Sequence, residues 1–186
     1  FNYYRDNEIV NIKFRDSQKN FKLVSGAELI FYGLNNIKSI DKCYIVEGEI
    51  DCLSLHECAL SNVCSVPNGA SKGNQKLEYL DNCWEYFKNK KEIILCTDND
   101  DAGLQLRNEL ARRLGNYRCK YVDFGKYKDA NEVLVNEGKL FLKNIVQNAK
   151  HFPLEGVISI NNIWQSVLNF NEKGIKNYDI GLPGSS

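Results

Sequence analysis

The chain has 186 residues, 24 basic and 24 acidic side chains, and a formal net charge of zero. That balance excludes a whole-chain basic footprint for nucleic acid, so any such contact must come from a local patch. No apolar run is long enough to cross a bilayer and no signal peptide opens the chain, while the length accommodates one full α/β domain plus a smaller attachment.

From Phe1 to about Val24, short β-rich runs alternate with turn signals. Asp6-Asn7-Glu8 and Ser17-Gln18-Lys19-Asn20 separate strands expected near residues 2–5, 9–15 and 21–24, a three-strand meander. Residues 25–40, with Gly26 and Gly33 around Leu29, Ile30, Phe31 and Tyr32, read as a connector packed on the next domain. Strands are then expected near 43–47, 63–66, 92–97 and 118–123. Helices are expected near 50–60, 76–88, 102–114 and 129–148, the last broken at Glu137-Gly138. Such alternation predicts an α/β fold: a parallel four-stranded sheet with right-handed crossovers and helices on both faces, preceded by a small antiparallel β subdomain.

Residues 151–159 read as a linker, with Pro153 and Gly156 as breakers. An amphipathic stretch carrying Ile163, Trp164, Val167, Leu168 and Phe170 follows, either docking on a partner or folding back on its own domain. Domains are therefore expected at 1–40, 41–150 and 151–186. The chain opens at Phe1 and contains no methionine, which reads as a piece of a longer protein.

The seven cysteines stand at positions 43, 52, 58, 64, 83, 96 and 119 and include no Cys-x-x-Cys pair, which argues against zinc. Several fall inside apolar strands, where a free thiol behaves as a small hydrophobe. Reduced, buried thiols and a cytoplasmic location are expected, with an organelle matrix as the alternative.

Two strand ends carry the chemistry. Ile93-Ile94-Leu95-Cys96 runs through Thr97 into Asp98-Asn99-Asp100-Asp101, and Cys43-Tyr44-Ile45-Val46 runs into Glu47-Gly48-Glu49-Ile50-Asp51. Like charges gathered at adjoining strand ends repel unless a cation sits among them, and ligands of open α/β sheets bind at those ends. Alone, the Asp98 cluster would also suit a dehalogenase-type phosphatase, a response-regulator receiver or an acidic helix cap. Pairing with a second acidic cluster weighs against a cap, which needs no partner.

Both clusters together resemble the TOPRIM domain shared by bacterial-type primases, type IA and type II topoisomerases and some nucleases. Asn68-Gly69-Ala70-Ser71 and Lys128-Asp129-Ala130-Asn131-Glu132 narrow the resemblance to phage-type and Twinkle-like bifunctional primase–helicases, as does Arg15-Asp16-Ser17-Gln18-Lys19-Asn20-Phe21-Lys22. The resemblance implies a catalytic set of Glu47, Asp98 and Asp100, and metal binding by these three with Asp51 and Asp129. It implies Mg2+ or Mn2+ as cofactor, because hard divalent ions take carboxylate oxygens. It further implies primer synthesis on a single-stranded DNA template from ribonucleoside triphosphates, beside a helicase domain of the same parent chain. Lys13, Arg15, Lys19, Lys22 and Lys128 are its candidate nucleotide or template contacts.

Alternatives stay open at this point. Water as nucleophile would make the same acids a nuclease, and a non-catalytic module of a replicative helicase is a third reading. The basic residues could be a solvated face, and Lys128 a mere charge partner for the acids. Gly69 could bring backbone N–H groups to a phosphate or only shape a turn. His56 reads as a surface or packing residue, and Trp84, Tyr86 and Phe87 as including core. This chain is expected to be monomeric, the hexamer of such parents forming through the helicase.

Overall fold

The computed structural model describes residues 1–18, 20–37, 41–70, 77–153, 164, 167 and 168. Residues 1–152 form one compact unit and 153–186 another. In the second unit Trp164, Val167 and Leu168 are helical and exposed. Ile163, Phe170 and the expected passage toward a helicase lie outside the described residues.

The first unit opens with the meander. Strands β1 (Asn2–Arg5), β2 (Glu8–Arg15) and β3 (Phe21–Leu23) pair antiparallel in that order. Between β1 and β2 stand only Asp6 and Asn7, at φ 50° and 74°. Asx residues at two successive left-handed positions make the tight hairpin turn whose twist matches its strands.

The connector then runs along the main sheet, where Tyr32 exchanges backbone hydrogen bonds of 3.0 Å with Ser65. The meander and connector are tied into the main core: Tyr3, Ile30, Phe31 and Leu34 are fully buried there.

The main sheet contains β4 (Lys42–Val46), β5 (Val63–Ser65), β6 (Glu92–Cys96), β7 (Cys119–Tyr121) and β8 (Lys150–His151), in the order β5-β4-β6-β7-β8. The first four are mutually parallel, as the alternation predicts. Strand β8 is an antiparallel edge on β7, formed where the sequence reads as helix end and linker. Two residues are too few to give a periodic signal, so this edge escapes sequence reading.

Helices α1 (Glu49–Glu57), α2 (Glu78–Asn82), α3 (Trp84–Phe87), α4 (Asp101–Leu114), α5 (Ala130–Glu137) and α6 (Lys139–Gln147) cover both faces. The expected single helix over 76–88 is two short ones that meet at Cys83. Phe87 of α3 is buried, whereas Trp84 stays 38% exposed. The break at Gly138 falls where expected, that residue lying at φ 84° between α5 and α6.

Strict alternation splits the strands between two cores. Cys43, Ile45, Ile93 and Leu95 face α4, the connector and Tyr3; Tyr44, Val46, Ile94 and Cys96 face α1, α5 and α6. The strands β4 and β6, apolar on both faces, lie side by side inside the sheet with Val46 opposite Cys96. Their acidic continuations are thereby brought to the same edge. All seven cysteines are buried free thiols.

Candidate active site

Glu47 directly follows β4, and its carboxylate is held by backbone on two sides. Oε1 accepts from the Ala70 N–H at 2.9 Å and Oε2 from the Asp98 N–H at 3.2 Å. Gly69 lies at φ +65°, a left-handed conformation that turns the chain so that the next N–H meets Glu47. Gly69 thus shapes a turn that serves the acid. Burial, and secondarily the charge of Asp98, raises the Glu47 pKa above the ordinary carboxylate range.

Asp98, two residues past β6, is 8% exposed. Its carboxylate receives the Lys128 ammonium at 2.9 Å, yet burial still outweighs that partner and raises its pKa. Its position depends on a close approach of α4: a Cβ on Gly103 would stand 2.3 Å from the Asp98 carbonyl oxygen. Asp100 caps α4, accepting from the Gly103 N–H at 2.9 Å, and is exposed. It lies 3.8 Å from the Lys128 ammonium. The helix-cap alternative therefore describes Asp100 well, while Asp98 plays another part.

Asp51, on the first turn of α1, accepts from the Asn131 N–H at 2.9 Å and forms no ion pair among the described residues. Burial and the neighbouring charge of Asp129 push its carboxyl up to about 7. Asp129 caps α5 through the Glu132 N–H at 2.8 Å. One carboxylate oxygen each from Asp51, Asp98 and Asp129 lie within 4.8 Å of one another. Of the five acids expected to bind metal, Asp51, Asp98 and Asp129 form this convergent trio; Asp100 stands outside it and Glu47 beside it.

That donor set fits a hard divalent cation. It offers carboxylate oxygens, the donors such an ion takes, and concentrates charge with which, among the described residues, only Lys128 forms an ion pair.

Asn99 draws the loop before α5 toward β6. Its N–H donates to the Lys128 carbonyl at 2.7 Å, and its side chain donates to the Gly125 and Tyr127 carbonyls, each at 3.2 Å. Asn99 and Asn131 bring Asp129 to the other acids, and sequence reasoning passed over both. Their presence within the two motifs was the available signal.

The basic candidates have separate fates. Lys13 is 8% exposed, and its ammonium donates to Glu49 at 2.8 Å and to the Pro67 carbonyl at 2.7 Å. The Tyr3 hydroxyl donates to the same Glu49 carboxylate. Lys13 is thus a buried strut between meander and sheet as well as a wall residue of the site. Arg15 is exposed and Lys22 borders the acidic cavity, whereas Lys19 lies outside the described residues. The cavity has a volume of about 370 Å³, with β3 on one side and Glu47, Asp51 and Asp98 on the other. His56 lies elsewhere, its Nε2 3.2 Å from the Asn36 amide. No described helix is long and apolar enough to cross a membrane.

Comparison with known proteins agrees with this geometry. Residues 44–134 match the Toprim-like family. The chain is 34% identical over 184 residues to the Twinkle homolog protein, chloroplastic/mitochondrial, of Arabidopsis thaliana, covering 90% of this chain and 26% of that protein. It is 36% identical over 165 residues to the DNA helicase/primase of Enterobacteria phage T3, covering 84% of this chain and 28% of that one. The crystal structure of the primase fragment of the bacteriophage T7 primase-helicase superposes with a TM-score of 0.68 at 29% identity, over 78% of this chain and 60% of that one. This sequence thus spans about a quarter of the length of those two curated relatives. The acids at paired strand ends, the sheet that carries them and these likenesses agree: the chain carries a TOPRIM domain of the Twinkle-like and phage-type primase family.

Proposed function

We propose that this chain is the catalytic part of a DNA primase, joining ribonucleotides into short RNA primers on single-stranded DNA. The observation that carries the reading is the juxtaposition of Glu47 with the Asp51, Asp98 and Asp129 trio in a cavity walled by the basic meander. In the transfer, a nucleotide 3′-oxygen bonds to the α-phosphorus of a second nucleoside triphosphate, pyrophosphate leaves, and the hydroxyl proton must go to a base. Glu47 suits that base: two backbone N–H groups fix it, and its raised pKa makes it a better proton acceptor than an ordinary carboxylate.

Asp51, Asp98 and Asp129 would hold magnesium or manganese. When bound, such an ion supplies positive charge that acidifies the hydroxyl and neutralises the departing phosphates. Asp100, at the open side, orients α4 and completes the negative field. The exposed Lys128 ammonium can exchange Asp98 for a triphosphate oxygen. Arg15, on the Phe21 face of the meander, and Lys22, paired with Phe14 but bordering the cavity, would meet template or nucleotide phosphates, and a helicase domain in the parent chain would bring the template.

The test combines single-stranded DNA, four ribonucleoside triphosphates and magnesium or manganese with wild type and Glu47→Gln. Metal-dependent dinucleotides that vanish in Glu47→Gln are expected. Strand cleavage without dinucleotide formation would overturn the reading in favour of a nuclease.

A further inference from the structure

One half-exposed aromatic stands on the cavity wall. Phe21 begins β3 and leaves 52% of its surface exposed. It pairs directly with Arg15, so both side chains project from the same face of the meander as Lys13, which pairs with Leu23. Along that face of β2 the row passes from buried to open: Asn11 donates to the Glu28 carbonyl at 2.8 Å, Lys13 is fixed to Glu49, and Arg15 reaches solvent. The Lys13 ammonium lies 4.9 Å from the Phe21 ring centroid and the Arg15 guanidinium 5.5 Å. Phe21 and Gly69 border the same cavity as Glu47, Asp51 and Asp98.

An aromatic ring flanked by cations beside an acidic cavity is suited to a ligand with a flat π-face at one end and phosphates at the other. Stacking on an aromatic side chain is tolerant of base identity, because every base has such a face, and nearby cations take the phosphates. The cavity volume of about 370 Å³ is within the range of small-ligand sites. Phe14 serves as an internal contrast. It is 58% exposed, but alternation places it on the opposite face of β2.

The geometry points to Phe21 as a base-stacking platform that holds the nucleobase of a nucleoside triphosphate or of single-stranded DNA at the edge of the acidic cavity. The ligand class rests on the primase reading. The platform would govern how tightly the base end is held, leaving the acids to act on the phosphate and hydroxyl end.

Equilibrium binding to the protein in a metal-free buffer tests it, with ATP compared against ribose 5-triphosphate, and oligodeoxythymidylate against an abasic oligomer of equal length. In wild type the base should improve the affinity of at least one pair by about 10- to 100-fold. Phe21→Leu should reduce that improvement to within a few-fold, Phe21→Trp should keep it, and Phe14→Leu should leave it alone. The pair that loses its base dependence identifies the source of the nucleobase. A base-dependent increment that survives Phe21→Leu in both pairs, with a wild-type melting temperature, would overturn the platform. So would a wild type whose binding ignores the base while primers are still made. A Phe21-dependent increment in a protein that makes no primers would support the platform and defeat only the primase reading.

Discussion

The two edges of the main sheet treat carboxylates in opposite ways. At the N-terminal edge, Glu92 is bound by Lys42 at 2.8 Å and by Lys120 at 2.9 Å, and Asp41 by Lys91 at 2.6 Å. There the hydrogen bond from Lys42 leads the causes that hold the Glu92 pKa below the ordinary range. Arg118 joins the same edge, donating to the carbonyls of Phe87 at 3.0 Å and of Lys88 and Lys90 at 2.9 Å. At the C-terminal edge, Glu47, Asp51 and Asp98 are all raised, burial being the first cause for each. One chain thus matches its charges at one edge and leaves them in excess at the edge proposed to hold a cation.

The largest expected effect lies at the unmatched edge. Glu47→Gln keeps the volume and one of the two backbone hydrogen bonds, its amide NH2 facing the other N–H, and it removes the base. Primer synthesis should fall about 10²- to 10⁴-fold while the protein stays folded. Activity within a few-fold of wild type would take Glu47 out of the mechanism.

Next comes Asp51→Asn, which retains an acceptor for the Asn131 N–H and removes a buried charge. It should stabilise the metal-free protein by up to about 4 kcal/mol at pH 8. The pH dependence fixes the sign. A carboxyl raised on folding binds more protons folded than unfolded, so metal-free wild type should lose stability from about pH 4 through about 7, where Asp51 ionises. Asp51→Asn should flatten that slope. Chemical denaturation across this range, in chelator, reads both effects.

Gly103→Ala sharpens the comparison through the backbone. Its new methyl would meet the Asp98 carbonyl, so a cost of about 1–3 kcal/mol and a displaced Asp98 are expected. Weaker manganese binding alongside the lower melting temperature would show both. The smallest effect belongs to the matched edge. Glu92→Gln should cost about 0.5–1 kcal/mol at neutral pH, because its partners are partly solvated. Glu92 is lowered on folding, so its contribution is present above the unfolded carboxylate pKa and is lost as pH falls through its folded value. The two edges should therefore show opposite pH slopes in the variants.

Much of this contrast could be read from the chain. Apolar runs ending in acids gave β4 and β6, and their parallel pairing put Glu47 and Asp98 on one edge. Gly138 marked the helix break because a left-handed position ends a helix wherever it falls. What escaped depends on three-dimensional contact. Lys13 belongs to an alternating basic row, and no periodicity reveals that Glu49 and Pro67 lie opposite it. Asp100 and Asp129 sit at similar strand-to-helix transitions, yet only Asp129 joins the trio, because Asn99 and Asn131 draw its loop inward. The cap at Asp100 was legible as an alternative, and that reading accounts for one of its oxygens.

The central claim is that the excess charge at the C-terminal edge is a cation site. The most direct test is the melting temperature of wild type and Asp98→Asn, in chelator and in manganese at about ten times its dissociation constant. Wild type should gain roughly 1.4 kcal/mol with metal, and Asp98→Asn much less. Without metal, Asp98→Asn should melt no lower than wild type, relief from burial and repulsion offsetting its lost Lys128 pair. If Asp98→Asn melts lower in chelator and neither protein responds to manganese, these carboxylates are structural and the site does not exist.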